Sequence, residues 1–365
     1  MTPLHFLQST AAVVLTFSLV IFLHESGHFF LCRFFGVRVE KFAFGFGPEL
    51  LGVTSGDTRF SICLFPLGGF VKPAGEEVES CTGKPDEYFG QNWWRRFLIV
   101  GAGPTMNYLL AFALFTGVFY LKGLPIPSSG TKIGNMMIGY PAEQAGLQIG
   151  DVIKAVDGTP VDSWEVLAET VHRYTGKKIF LTYERGSVES RLSLIPKKDP
   201  ESGLGIIGIL PDETFQSIGF FRSAKEGGQE CWDITKMTVD TLASKIYNHK
   251  RPDLAGPIGI VQMVSRAAHS GWDDLVSLIA LISVAIGFLN ILPIPLLDGG
   301  HAAAYLWEGV SGRKPTQRMV SAANSLGLAF LVALLIFATY NDILRLRKSP
   351  AMPEPPAPAA AAASH

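Results

Sequence analysis

His24-Glu25-Ser26-Gly27-His28 is an HExxH motif inside an apolar stretch that is itself long enough to cross a membrane. On a helix the two histidines stand four residues apart on one face. Both imidazoles then reach a single metal ion, with Glu25 beside them as a general base. In a water-soluble chain such a motif is often no more than a solvated helix face. That reading fails at membrane depth, where a Glu and two His cost on the order of 2–3 kcal/mol each unless a bound cation compensates them. The motif predicts a Zn²⁺ site within an apolar layer.

Composition agrees. Hydrophobic residues make up 48% of the chain and charged residues 17%, and the mean hydropathy is +0.27, which places the chain among membrane proteins. A net charge of −1 without a long Lys/Arg run excludes nucleic acid as a partner. Cys32, Cys63, Cys81 and Cys231 show no CxxC spacing, so neither a disulfide scaffold nor a cysteine zinc site is expected. No basic lead precedes the first apolar run, and that run carries the metal motif, so it reads as a retained span and not as a cleaved signal peptide.

Four segments reach the roughly 20 residues that a helix needs to span a bilayer: about 7–31, 97–121, 275–297 and 321–341. From Val37 to Lys72 the chain is rich in β-branched and aromatic residues and broken by glycine and proline, which predicts β-hairpins. Thr58 to Ile62 alternates cleanly, whereas Phe42 to Phe46 is apolar on both faces, as a segment shielded by lipid or helices would be. A soluble block covers 128–211. Its Pro141–Leu147, Gly150–Ile153 and Val156–Gly158 stretches, its helix from Trp164 to Tyr174 and its strands near Ile179–Tyr183 and Val188–Leu194 resemble a PDZ domain. Gly203-Leu204-Gly205-Ile206 resembles the loop that binds a peptide carboxylate, placed last as in the circularly permuted bacterial form. From Phe215 to Ile246 apolar residues recur at three- and four-residue steps, as in an amphipathic surface helix. The Pro/Ala-rich tail from Pro350 is expected to be disordered.

Lys and Arg near the spans orient the chain. Arg33, Arg38, Lys41, Arg59, Lys72, Lys84, Arg95 and Arg96 follow the first span, and Arg313, Lys314 and Arg318 lie between the last two, so both loops are expected in the cytoplasm. The 128–211 block is then extracytoplasmic. Arg345, Arg347 and Lys348 oppose this, but early segments dominate orientation.

A catalytic zinc takes three protein ligands and an open position. The third span ends in Asn290-Ile291-Leu292-Pro293-Ile294-Pro295-Leu296-Leu297-Asp298-Gly299-Gly300, which offers Asp298, with His301 three residues on as its rival. With HExxH in the first span, NxxPxPxxDGG in the third and a PDZ-like block between, the chain resembles the site-2 protease family, in its bacterial branch with PDZ domains. Gly45-Phe46-Gly47 and Pro66–Lys72 resemble that family's membrane re-entrant β-loop. Arg96–Pro104 resembles the opening of its second span and Leu254–Ile260 the segment before its third. One departure is clear: this chain has room for one PDZ domain, where well-studied relatives carry two.

The resemblance implies a helical membrane fold of about four transmembrane helices, with a re-entrant β-hairpin region and an inserted α+β PDZ domain. Its parts would be 1–36 (first span), 37–75 (β-loop), 76–122 (cytoplasmic segment and second span), 128–211 (PDZ), 212–272 (amphipathic extracytoplasmic segment), 273–345 (last two spans) and 346–365 (tail). It implies Zn²⁺ held by His24, His28 and Asp298, with Glu25 as the base. Substrate would be held by Asn290, Gly68, Gly69, Phe70, Gly45 and Gly47. The implied activity is intramembrane cleavage of single-span proteins in the bacterial inner membrane, with an anti-sigma factor trimmed by another protease, or a remnant signal peptide, as substrate. The active site would face the cytoplasmic side, and the PDZ domain could receive a peptide C-terminus. The competing class is a catalytically silent PDZ-bearing adaptor or a metal-binding transporter.

Overall fold

The computed structural model describes residues 3–76, 81–128, 130–137, 139–199, 203–248, 256–313 and 316–348. The tail beyond 348 lies outside the described residues, so the disorder expected there is not addressed. The chain divides into two compact units, one formed by Met1–Val118 with Phe220–His365 and the other by Phe119–Gly219.

The first unit opens with helix α1 (Pro3–Phe34), whose apolar residues are spread around the helix and not gathered on one face. A left-handed Gly36 ends it, with Gly36 N–H donating to Arg33 and Val37 N–H to Cys32, the double closure that glycine permits at a helix C-terminus. Strands β1 (Val39–Ser55) and β2 (Thr58–Pro73) follow as one long hairpin closed at Gly56-Asp57, where the sequence had predicted several. The hairpin folds back on itself, so residues 41–44 are paired on both sides. Phe42 faces both Phe60 and Val71, Ala43 both Ser61 and Phe70, and Phe44 both Ile62 and Gly69. The fold-back leaves residues 69–73 at an outer edge, beside α1. Helix α2 (Trp93–Leu121) comes next, with Pro104 inside it.

The second unit contains β3 (Leu124–Pro127), β4 (Ile133–Met136), α3 (Pro141–Gln144), β5 (Val152–Val156), β6 (Thr159–Pro160), α4 (Trp164–Arg173), β7 (Ile179–Arg185), β8 (Val188–Leu194), β9 (Lys197–Lys198), β10 (Gly205–Ile206), β11 (Ile209–Pro211) and β12 (Glu213–Gln216). Strands run in the order β6-β5-β7-β8 in one sheet, and β9 with β10, β4 with β11 and β3 with β12 form two-stranded ladders. The unit therefore extends past 128–211 on both sides, because β3 and β12 pair outside those bounds. Its core is fully buried Ile133, Ile153, Val156, Leu167, Ile179 and Leu181. Helix α4 and residues 206–210 line a groove of about 310 Å³, with Trp164, Val171, His172, Ile206 and Leu210 on its walls. Of the four loop residues resembling a carboxylate site, Gly203 is left-handed, Leu204 is exposed, Gly205 pairs with Lys198, and only Ile206 reaches the groove.

The first unit resumes with α5 (Phe220–Tyr247), α6 (Pro257–Ser270), α7 (Trp272–Ile291), α8 (Asp298–Ser311) and α9 (Gln317–Lys348). Phe215 and Ile218 precede α5 and do not extend its stripe. Thr235 of α5 bonds Tyr108 of α2, and Ser9 of α1 lies 2.7 Å from Ser265 of α6, so α5 and α6 pack along the long apolar helices. Asp342 of α9 accepts from the N–H groups of Gly256 and Gly259, which caps the start of α6 from another helix.

Among the described residues, four helices are long and apolar enough to cross a membrane: Leu4–Phe34, Trp93–Leu121, Trp272–Ile291 and Met319–Leu344. The third stops at Ile291, short of the predicted 297. The chain breaks at Pro293 and Pro295, and Asp298 starts a helix of its own.

Candidate metal centre

His24 and His28 project from one face of α1 toward α8. Nε2 of His24 lies 3.1 Å from Asp298 Oδ2, Nε2 of His28 lies 3.6 Å from the same oxygen, and the two Nε2 atoms are 3.3 Å apart. Asp298, not His301, completes the group: among the described residues only His24, His28 and Asp298 bring potential ligand atoms within 4.8 Å of one another.

The backbone makes this meeting possible at three glycines. A Cβ on Gly103 of α2 would lie 2.3 Å from His28 Nε2 and 2.8 Å from His24 Cε1, so only glycine leaves room for the two rings. A Cβ on Gly27 would lie 2.4 Å from the Ala102 carbonyl, which shows how closely α1 and α2 cross. Beyond Asp298, a Cβ on Gly299 would lie 2.2 Å from the carbonyls of Ile291 and Leu292, so the DGG glycine lets α8 fold back onto the end of α7. Leu296 takes a left-handed φ of +76 in that turn, a conformation costing roughly 1–2 kcal/mol for a residue with a Cβ. Packing elsewhere compensates it. Arg96, buried in α2, donates to Glu308 of α8 at 2.7 Å, while its guanidinium lies over the rings of Phe89 and Tyr305. This pair ties α8 to the helix that packs on the histidines.

The donor set fits a zinc ion. Two imidazoles and one carboxylate are the ligand types of a three-ligand catalytic zinc, which leaves one position open. Asp298 Oδ2 is buried and receives no hydrogen bond although two ring nitrogens face it. Three lone-pair atoms converging in a buried place repel one another unless a proton or a metal cation lies among them, and a metal cation satisfies all three at once. The other ring nitrogen of His28, Nδ1, lies 2.8 Å from the Ile99 carbonyl, an arrangement that places the ring hydrogen on Nδ1 and frees Nε2 as a ligand.

Glu25 is half-buried beside the outer edge of β2. A Cβ on Gly69 would lie 3.6 Å from Glu25 Cγ. Gly68, Gly69 and Phe70 thus open the edge run next to Glu25. Gly45 and Gly47 act differently: both are left-handed and pack on Phe65, where the hairpin bends. Asn290 occupies the last turn of α7, half-buried.

These features define a class, a membrane metallopeptidase of the HExxH type. The family model Peptidase family M50 matches residues 12–334, and the chain belongs to that family, the site-2 proteases. A chain of Clostridium acetobutylicum named as a zinc metalloprotease is 32% identical over 332 residues, covering 91% of this chain and 96% of its own. A Rickettsia conorii chain with the same designation is 33% identical over 360 residues, covering 93% and 99%. Zinc metalloprotease RasP of Shouchella clausii is 27% identical over 423 residues, covering 93% and 100%. The solved PDZ domain of an SdrC-like protein of Listeria innocua is similar to 22% of this chain and 92% of its own length, at 25% identity and a TM-score of 0.21. The chain is a zinc metalloendopeptidase of the membrane.

Proposed function

We propose that this peptidase cleaves single-span membrane proteins within the bilayer, taking the substrate as an extended strand along the outer edge of β2. The observation that carries this is the position of Glu25 against Gly69 at the outer edge of β2. A transmembrane helix hides its carbonyls in its own hydrogen bonds, so the scissile segment must unwind. A strand added to the edge at Gly68-Gly69-Phe70 replaces the lost bonds, and Gly69 allows close backbone approach. Gly45 and Gly47 serve this by shaping the bend, and Asn290 by binding the substrate backbone near the cut.

His24, His28 and Asp298 would hold the zinc, which when bound would supply Lewis-acid activation of water and of the scissile carbonyl. Glu25 takes the proton from the attacking water and delivers it to the leaving amine. By the family resemblance, the substrate is an anti-sigma-factor-like protein already trimmed on its far side, or a remnant signal peptide. The Lys/Arg distribution supports an inner-membrane orientation with the catalytic residues toward the cytoplasm and the 128–211 block outside. There the α4 groove would receive a newly made C-terminus, with Ile206, the last residue of the Gly203–Ile206 loop, on its wall.

The test is cleavage of model transmembrane peptides in lipid nanodiscs by wild type and Glu25→Gln. Glycine or proline placed near the cut should speed wild-type cleavage, since unwinding is eased by about 1 kcal/mol for Gly and about 3 for Pro relative to Ala. Cleavage indifferent to helix propensity would remove the unwinding step. A Gly69→Val variant that cuts as fast as wild type would remove the edge strand.

A further inference from the structure

We propose that Asn107 is a positioning residue of the zinc site, its carboxamide oxygen accepting the Nδ1–H of His24 so that the His24 Nε2 lone pair is held toward the metal. The proposal rests on the reading of His24, His28 and Asp298 as the zinc ligands. A neutral imidazole carries hydrogen on one nitrogen and a lone pair on the other. With zinc among both Nε2 atoms and Asp298 Oδ2, both Nε2 atoms keep their lone pairs, so both Nδ1 atoms carry the hydrogen and each needs an acceptor. His28 has the Ile99 carbonyl.

At His24 Nδ1 stands the Asn107 carboxamide, 3.3 Å away. With the amide nitrogen turned to the ring, Asn107 would donate to Nδ1, the ring hydrogen would move to Nε2, and His24 could not ligate. In that orientation Asn107 Oδ1 is also buried without a partner. The two ends of a carboxamide are nearly identical in shape, and a half-turn about its last bond removes the conflict at the ring, with Nδ2 taking the place Oδ1 leaves. It gives Oδ1 a donor and Nε2 a free lone pair.

Asn107 is built in to do this. It is fully buried, its backbone carbonyl accepts from Ser283 Oγ of α7 at 2.8 Å, and a Cβ on Gly287, one turn further, would stand 3.1 Å from Asn107 Cβ. α7 therefore clamps a side chain of α2 against a ligand on α1. A polar residue at the middle of an apolar span is costly unless it is used, and here its use is to orient the ring.

The experiment uses full-length protein in lipid nanodiscs, with zinc affinity read by chelator competition and the His24 tautomer by ¹⁵N NMR of the zinc-free form. Asn107→Leu keeps the volume and removes the acceptor, and should weaken zinc binding about 10- to 100-fold. Asn107→Asp keeps an acceptor and should stay within about threefold of wild type. The wild-type ring should carry its hydrogen on Nδ1, and the Leu variant should lose that preference. Zinc affinity unchanged in Asn107→Leu, an Asp variant as weak as the Leu variant, or a wild-type hydrogen on Nε2 overturns the proposal. If Asn107→Leu does not fold, the wild-type tautomer and the Asp variant still decide. Asp298→Ala is the control: if it leaves zinc affinity intact the ligand reading itself fails, whereas if it alone weakens binding only the Asn107 role fails.

Discussion

Arg96 on α2 and Glu308 on α8 form an ion pair at 2.7 Å whose side chains are 2% and 10% exposed. Removing one partner leaves an uncompensated buried charge, at a cost of about 3–5 kcal/mol. Arg96→Met should therefore lower thermal stability steeply and loosen zinc, because α8 carries Asp298. Adding Glu308→Leu to it should recover stability, since a buried apolar pair is often as good as a buried ion pair. A double variant no more stable than Arg96→Met, by thermal unfolding in detergent, would show that the pair is not what fastens α8.

Asp298→Ala should reduce both zinc content and peptidase activity, whereas His301→Ala should keep most of each, because only Asp298 reaches the two ring nitrogens. Metal analysis beside a cleavage assay measures both. The reverse order of effects would transfer the third ligand to His301.

Glu25→Gln removes the base and leaves the ligands. Zinc content should stay at the wild-type level while turnover falls by about 10²–10⁴-fold. Near wild-type turnover would exclude Glu25 from proton transfer.

Gly103→Ala should weaken zinc binding without removing any ligand, since the new Cβ would overlap the His28 ring at 2.3 Å. Gly101→Ala, with open space at that position, is the matched control on the same helix. Equal zinc affinity in the two variants would mean that α2 yields freely around residue 103.

Glu87 gives a pH test away from the spans. Hydrogen bonds from the Thr82 hydroxyl, the Cys81 thiol and the N–H groups of Thr82, Gly83 and Lys84 hold its carboxyl down at about 2 from an ordinary 4.5. A depressed folded value means that the contribution is full above the unfolded value and is lost as pH falls from about 4.5 toward about 2. Amide exchange at Gly83 and Lys84, corrected for intrinsic rates, should rise across that window in wild type and be high and pH-independent in Glu87→Gln. Protection unchanged down to pH 2.5 would show that the carboxylate does not order the loop.

Much of this molecule is local in origin and so legible along the chain. The four spans follow from apolar runs, the paired histidines from helical periodicity, and the α4 helix with its flanking strands from period and turn residues. Asp298 was legible as a candidate, and the family resemblance preferred it to His301, but spacing alone did not, because the DGG turn sets which side chain faces α1. The third span was overrun because hydropathy alone set its end at 297, past Pro293 and Pro295, where the helix has already stopped at Ile291. Asn107 offered one faint signal, a polar residue in the middle of an apolar span. Its partner lies 83 positions away on another helix.

By itself, then, the sequence determined which chemistry was available: two imidazoles on one helical face, a base between them, and a carboxylate after a helix break. Those depend on spacings of four residues or fewer and on elementary backbone sterics. Tertiary structure alone decided the rest: that glycines 27, 103 and 299 bring three helices close enough for the ligands to meet, that the hairpin doubles back so its edge lies along Glu25, and that α7 clamps Asn107 against His24. These contacts join residues far apart in the chain. They arise only when packing, not periodicity, sets which surfaces touch.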